Sequence, residues 1–245
     1  MDGVQALPAL RTSSATQLDW HERCELLVVG FGAAGASAAI EAAERGLKVL
    51  ALDRFAGGGA SALSGGVVYA GGGTPYQQQA GYQDSPEAMH AYLRQEVGDA
   101  VSEATLLDFC QRSREQLAWL ERQGVAFEAS VPPHKTSYPS DQYYLYYSGN
   151  EAVPDYARVA KPAPRGHRAK GQGMSGAALY AALHASALAA GVRLHGQCEV
   201  RRLVLDARER VIGVEAWQLP ADTAPARRHA RLSRWAQALH MYSPA

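Results

Sequence analysis

Residues 25–35 of the 245-residue chain read Glu-Leu-Leu-Val-Val-Gly-Phe-Gly-Ala-Ala-Gly, and this stretch decides the fold. The apolar run at 25–29 is typical of a strand that is buried on both faces of a parallel sheet. The alanine-rich segment 33–45 predicts a helix, which Gly46 ends. Residues 47–52 predict a second strand, so the stretch opens a strand–helix–strand unit.

Three glycines in this stretch have the spacing Gly-x-Gly-x-x-Gly and lie between the predicted strand and the predicted helix, as the motif requires. Gly30 permits the tight turn, Gly32 lets the backbone approach a pyrophosphate without a Cβ, and Gly35 allows close contact of helix and strand. The helix N-terminus offers unpaired N–H groups and a partial positive charge to a diphosphate. The motif predicts a dinucleotide site; a helix–sheet unit that binds no nucleotide is the alternative.

Asp53 ends the second predicted strand. A carboxylate at this point accepts hydrogen bonds from a ribose 2′-OH and repels a 2′-phosphate, which disfavours NADP, although the neighbouring Arg54 softens that repulsion. An NAD-binding domain would continue its alternation of strands and helices, whereas residues 57–81 hold nine glycines. The chain after Asp53 therefore departs from the NAD pattern.

The first part of this glycine-rich segment, residues 57–66, fits a second backbone surface that lies close against a ligand. The hydroxyls of Ser61 and Ser64 could bond a phosphate or the edge of an isoalloxazine. Two glycine-rich contacts favour FAD, which is a longer ligand than NAD. A flexible linker is the alternative interpretation of this segment.

The remaining chain contains further predicted elements and one irregular region. Helices are predicted at 86–97, 102–122 and 175–190, and strands at 192–194, 199–205 and 211–216. Residues 127–170 are irregular, with five tyrosines between 138 and 147, and so long a loop is usually functional. The alternative is a short hairpin with surface tyrosines. Residues 227–241 predict a basic amphipathic helix, either a solvated connection or a site for anions or membranes.

The composition excludes several classes of function. Lys+Arg and Asp+Glu number 24 each, so no overall field attracts nucleic acid or an anionic membrane. A hydrophobic content of 47% argues against a disordered chain. No segment resembles a membrane span. Three widely spaced cysteines predict no metal site and favour a reducing, cytoplasmic compartment.

Several segments together resemble a known superfamily. Residues 28–35, Asp53 and residues 59–69 (Gly-Ala-Ser-Ala-Leu-Ser-Gly-Gly-Val-Val-Tyr) resemble the FAD-binding domain of the fumarate reductase/3-ketosteroid dehydrogenase flavoproteins. Three more are most similar to the branch that contains the 3-keto-5α-steroid Δ4-dehydrogenases: 70–75 (Ala-Gly-Gly-Gly-Thr-Pro), 147–151 (Tyr-Ser-Gly-Asn-Glu) and 164–167 (Pro-Arg-Gly-His).

The resemblance covers about residues 20–218 and implies the fold class and the domains. The fold expected is α/β, a Rossmann-like FAD-binding domain with a parallel sheet, Gly-rich loops and an added β-meander, incomplete at the C-terminus. Residues 1–19 are expected to form a loose leader. Residues 219–245 are expected to form a connecting helix toward a missing capping domain.

The resemblance also implies that FAD is bound non-covalently. The FAD contacts that it implies are Gly30, Gly32, Ala34 and Gly35 at the diphosphate, Asp53 and Arg54 at the adenosine, Gly59, Ala60, Ser61, Ser64, Gly65 and Gly66 along the diphosphate and flavin, and the backbone of Val200 at the adenine.

The activity implied is desaturation of a C–C bond next to a ketone, with a hydrophobic 3-ketosteroid-like substrate and an electron acceptor. Family members are much longer and carry their catalytic tyrosines in later parts. No catalytic residue is therefore named, Tyr146 and Tyr147 included, and the chain alone is expected to be inactive. A fumarate reductase or aspartate oxidase type of flavoprotein and a non-catalytic FAD-binding fragment are the alternatives.

Overall fold

The computed structural model describes residues 7–239. The strands are β1 (Leu10–Arg11), β2 (Leu26–Val29), β3 (Val49–Leu52), β4 (Val67–Tyr69), β5 (Leu145–Tyr146), β6 (Gly166–Arg168), β7 (Arg193–His195), β8 (Cys198–Leu205) and β9 (Val211–Gln218). The helices are α1 (Ala33–Glu44), α2 (Gly59–Leu63), α3 (Pro75–Gln79), α4 (Pro86–Val97), α5 (Glu103–Arg122), α6 (Pro154–Ala157), α7 (Gly176–Ala189) and α8 (Ala224–Leu239). The described residues form two compact units: residues 7–59 with 184–239, and residues 60–183.

A parallel sheet of order β2–β3–β7 forms the base of the first unit. All four residues of β3 are buried, which explains the continuous apolar run there. The order matches the first three strands of a Rossmann sheet, with β2 at an edge. The predicted parallel α/β fold and its strand–helix–strand unit are confirmed.

Helix α1 covers this sheet with small side chains. Ala36, Ala39, Ile40 and Ala42 are its buried residues. Three of these four are alanines, so the helix can lie close to β2 and β3. As predicted, the helix ends before Gly46, which has a φ of +84°.

The second sheet of this unit has the order β1–β8–β9. Strands β8 and β9 are antiparallel and form the predicted β-meander, and Glu209 takes a φ of +58° in the turn between them. Strand β1 runs parallel to β8, with Leu10 opposite Val204. The prediction of a loose leader is therefore wrong for residues 10–11, because their backbone pairs with this sheet.

The second unit holds an antiparallel sheet of order β4–β6–β5 and the helix pair α4 and α5. Ser85 and Ser102 cap these two helices by accepting hydrogen bonds from backbone N–H groups, and Gly124, with a φ of +90°, follows α5. Both helices lie where they are predicted.

Two regions predicted to be irregular contain short elements. The glycine-rich segment holds α2, β4 and α3, and residues 127–170 hold β5, α6 and β6. Tyr144 and Tyr146 are buried, and β5 pairs with β6, about twenty residues further along the chain. The alternative of a short hairpin with surface tyrosines is therefore wrong.

The second unit is also held by a fully buried ion pair between Arg165 and Asp84. Arg165 Nη2 lies 2.7 Å from Asp84 Oδ1, and its Nε lies 3.0 Å from Oδ2. The Gly72 N–H and the Gln77 amide also donate to Oδ2, at 3.0 and 3.1 Å. Burial alone would raise the pKa of Asp84, but the hydrogen bonds and charge of Arg165 outweigh it and hold that pKa below its ordinary value.

Asp84→Asn is expected to destabilise the chain by about 3–5 kcal/mol at pH 7, since it leaves the Arg165 guanidinium buried without its counter-charge. A carboxylate with a lowered folded-state pKa stabilises the fold above its unfolded pKa, and this contribution is lost as the pH falls through the folded pKa. The difference in the free energy of unfolding between wild type and Asp84→Asn should therefore become smaller at acidic pH. Urea unfolding at pH 7 and pH 3 measures it.

Asp155→Asn is the matched control, because Asp155 pairs with Arg158 and both side chains are at least 70% exposed. Loss of this exposed pair should cost less than about 1 kcal/mol. Equal losses for the two variants would contradict a stabilising role for the buried pair.

Candidate functional site

The turn between β2 and α1 has the conformation that its glycines allow. Gly30 takes a φ of +88°, and its N–H donates to the Leu52 carbonyl at 2.8 Å. At Gly35, a Cβ would lie 2.0 Å from the Gly30 carbonyl oxygen, so the helix could not approach the strand this closely with any other residue. Gly30 and Gly35 are thus required by the fold itself.

Gly32 is different, because neither backbone strain nor side-chain capping explains it. It is the N-cap of α1 with a φ of −83°, which other residues adopt, and it makes no side-chain hydrogen bond to the helix. A polar N-cap such as Ser would ordinarily be preferred here. Because the N-cap is glycine, no side chain covers the first N–H groups of the helix. Ala34, in the first turn, is exposed. This arrangement fits a diphosphate group.

The Asp53 carboxylate ties the loops at this end of the sheet together. Its Oδ2 accepts the Phe31 N–H at 2.8 Å, and its Oδ1 accepts the N–H groups of Phe55 at 2.8 Å and Gly57 at 3.3 Å. The Phe31 carbonyl in turn accepts the Gly58 N–H at 2.8 Å. A carboxylate oxygen accepts about two hydrogen bonds, so Oδ2 retains capacity for a ribose hydroxyl.

The other predicted contacts of the first unit lie around this centre. Arg54 is exposed, and its guanidinium carbon lies 4.7 Å from the centre of the Phe55 ring. Gly59 is exposed at the start of α2 with a φ of +48°. Val200 pairs with Ala216 beside an irregularity in the β8–β9 register and packs on Leu50 and Leu52.

The predicted contacts of the second unit lie in α2 and in the tight loop that follows it: Ala60 and Ser61 in the helix, and Ser64, Gly65 and Gly66 in the loop. The Ser64 hydroxyl donates to the Ser61 carbonyl at 2.8 Å and accepts the Gly66 N–H at 3.1 Å. The hydroxyl proton of Ser64 is thus already used inside the loop, where the sequence suggested a phosphate or flavin contact.

Sequence reasoning missed the residues that hold this loop. Ser175 directly precedes α7, as predicted, but its hydroxyl donates to the Gly65 carbonyl at 3.1 Å. The Tyr138 hydroxyl lies 2.9 Å from the same oxygen. No spacing in the sequence signals these contacts, since Tyr138 and Ser175 are 73 and 110 positions from Gly65.

No catalytic role follows from the titratable groups of the described residues. Burial raises the pKa of both Tyr146 and Tyr147 to about 12, so their hydroxyls are neutral at physiological pH. All three cysteines are free thiols, and burial raises the pKa of Cys110 to about 11. Within residues 7–239, no three His, Cys, Asp or Glu side chains cluster in a way that could hold a metal ion.

The chain matches the FAD binding domain family over residues 25–235. It belongs to this family. The predicted cofactor, FAD, is thereby confirmed, and the glycine turn and Asp53 lie within the matched residues. No helix in the described part of the chain is long and apolar enough to cross a membrane.

The chain is similar to several steroid dehydrogenases. The chain is 49% identical over 227 residues to the 3-oxo-5-alpha-steroid 4-dehydrogenase of Comamonas testosteroni, which covers 91% of this chain and 43% of that protein. It is 46% identical over 88 residues to a 3-oxosteroid 1-dehydrogenase of Rhodococcus opacus, 35% of this chain and 17% of that protein.

The solved structure of 3-ketosteroid-delta4-(5alpha)-dehydrogenase from Rhodococcus jostii RHA1, in complex with 4-androstene-3,17-dione, is similar with a TM-score of 0.79 and 38% identity. The match covers 85% of this chain and 45% of that one. A flavocytochrome c3 fumarate reductase shares the fold, with a TM-score of 0.64 at 24% identity. The chain thus spans less than half the length of the steroid dehydrogenases of Comamonas testosteroni and Rhodococcus jostii.

Gly32→Val should abolish FAD binding while the fold persists. The added methyl groups would stand where the diphosphate approaches the helix N-terminus, whereas the backbone conformation suits valine. Flavin absorbance after purification and far-UV circular dichroism measure the two effects. Ala38→Val, which adds the same side chain at an exposed position of α1, is the control and should keep its flavin. Wild-type flavin content in a folded Gly32→Val protein would contradict the site.

Asp53→Ala should weaken FAD more than FMN, because FMN lacks the adenosine whose ribose the carboxylate is expected to contact. Loss of a charge-assisted hydrogen bond costs about 1.5–3 kcal/mol. Titration of the apoprotein with both flavins measures the difference. Equal losses would mean that Asp53 serves only the backbone of Phe31, Phe55 and Gly57.

Proposed function

We propose that this chain is the FAD-binding part of an oxidoreductase that desaturates a C–C bond next to a ketone in a hydrophobic, 3-ketosteroid-like substrate. The observation that carries the proposal is the 49% identity to a 3-oxo-5-alpha-steroid 4-dehydrogenase over 91% of the chain. Gly32, which is the N-cap of α1 and has a φ that does not require glycine, supports a diphosphate ligand.

The residues proposed to hold FAD divide by the part of the ligand that each suits. Gly32 and the first turn of α1 suit the diphosphate, because backbone N–H groups and the helix dipole favour an anion. Asp53 suits the adenosine ribose, with Arg54 and the backbone of Val200 beside it. Gly65 and Gly66 suit the flavin. Bound FAD would supply the acceptor for the hydride that leaves the substrate.

This chain's own residues would bind and orient the cofactor. Asp53 holds the glycine turn through the Phe31 N–H, so the diphosphate would meet backbone donors whose positions are already set before binding. We assign the base and the cover over the substrate to residues beyond this chain, because neither Tyr146 nor Tyr147 has a lowered pKa that would favour proton removal.

The partners proposed are the ketone substrate, an electron acceptor and a C-terminal half that supplies the cap. Residues 20–218 would form the FAD-binding domain and residues 219–245 the connection to that cap; α8 spans most of this connection, and Met241 of the predicted helix lies outside the described residues. We propose a cytoplasmic location, which the free thiols support.

The 245-residue chain loaded with FAD should show no turnover of a 3-ketosteroid with an artificial electron acceptor. Loss of a general base alone costs about 10²- to 10⁴-fold in rate, and loss of substrate positioning adds to it. A fusion of this chain to the remaining part of the Comamonas testosteroni relative should restore turnover.

Assays of the 245-residue chain and of the fusion side by side distinguish a catalytic from a non-catalytic role. Turnover by the chain alone at a rate near that of the fusion would place the catalytic groups in this chain, with residues 138–147 as the first to test. A fusion that binds FAD but stays inactive, while the intact relative turns over, would favour a non-catalytic FAD-binding role.

A further inference from the structure

The loop at 61–66 is held from one side by a set of side chains that the proposed function does not use. The Gly65 carbonyl accepts from the Ser175 hydroxyl at 3.1 Å and lies 2.9 Å from the Tyr138 hydroxyl. The same Tyr138 hydroxyl lies 2.9 Å from the Gly173 carbonyl, so its single proton is shared between two acceptors. A Cβ at Gly65 would lie 2.6 Å from the Tyr138 ring.

Arg168 supports both of these residues from behind. Its side chain is fully buried, and its Nε donates to the Ser175 hydroxyl at 3.2 Å. Its guanidinium lies 4.8 Å from the Tyr138 ring centre and pairs with the half-exposed Asp141. Arg168 Nη2 also donates to the Gly173 carbonyl at 2.7 Å. We name Tyr138, Arg168 and Ser175 the clasp.

The backbone contacts of the loop show which way it faces. The Gly176 N–H donates to the Ser64 carbonyl at 2.9 Å. The carbonyl and N–H of a trans peptide point in opposite directions, so the Gly65 N–H points away from the start of α7. Within residues 7–239, this N–H donates no hydrogen bond to a backbone carbonyl. The clasp thus anchors one side of the loop and leaves a donor on the other.

We propose that the clasp residues are positioning residues that fix the Gly65 N–H as a donor to the isoalloxazine part of FAD. This inference rests on the proposed function, because it needs FAD as the ligand. The clasp acts on the Gly65 carbonyl, which belongs to the peptide next to the one that carries the Gly65 N–H. Tyr138 and Ser175 hold the carbonyl of Gly65, while Arg168 keeps both hydroxyls in place.

The test uses the 245-residue chain and two ligands, FAD and ADP, since ADP carries the adenosine and diphosphate but no flavin. Tyr138→Phe keeps the ring and removes the hydroxyl. It should raise the Kd for FAD by up to about tenfold, which is the usual worth of one hydrogen bond, and leave the Kd for ADP unchanged. Ser175→Ala should do the same, and Ser175→Thr, which keeps a hydroxyl, should restore FAD binding.

Tyr143→Phe is the matched control, a tyrosine of the same segment that lies outside the clasp, and should change neither Kd. Hydrogen exchange of a peptide that covers 61–66 should become faster in Tyr138→Phe than in Tyr143→Phe. Equal weakening of FAD and ADP, or faster exchange with an unchanged Kd for FAD, would overturn the inference. A wild-type chain that binds ADP but not FAD would instead overturn the proposed function.

Discussion

Three backbone N–H groups donate to one carboxylate, that of Asp53, and the proposed nucleotide site depends on these hydrogen bonds. The Phe31 N–H belongs to the glycine turn, and those of Phe55 and Gly57 belong to the loop after β3. Hydrogen bonds to a charged acceptor are stronger than neutral ones, so Asp53 fixes two flexible, glycine-containing loops against the end of the parallel sheet. Asp53 therefore holds both loops, and the proposed contact with the ribose would use the same carboxylate.

The glycines of the chain serve distinct purposes, and the structure separates them. Gly30 is needed for its positive φ, and Gly35 and Gly176 are needed because a Cβ would meet backbone oxygens at 2.0 and 2.3 Å. Gly71 makes room for the Asp84 carboxylate, 2.7 Å from where its Cβ would stand. Gly32 is the N-cap of α1 and has a φ of −83°, which does not require glycine. Its proposed role is to leave room for a diphosphate beside the first N–H groups of the helix.

The sequence predicted the elements whose signals are local. β2, α1, β3, α4 and α5 follow from apolar runs, serine caps and a terminal glycine, all within a few residues of the element. The two- and three-residue strands β1, β4, β5 and β6 could not be predicted, because their partners lie far along the chain.

The burial of charged side chains also could not be predicted from the sequence. Arginine is usually exposed, yet Arg165 and Arg168 are both buried and pair with acids that lie 81 and 27 positions away. Local sequence signals marked the glycine motif and Asp53 as candidates. No local signal marks the side chains that hold Gly65, because they lie far from it along the chain.

The central claim is that the turn between β2 and α1 receives the diphosphate of FAD. Hydrogen exchange of the wild-type chain with and without FAD tests it most directly, since bound phosphate protects the backbone N–H groups that it contacts. Residues 30–36 should gain protection from exchange when FAD binds, and FMN should protect them far less. Protection by FAD that leaves residues 30–36 unchanged would contradict the central claim.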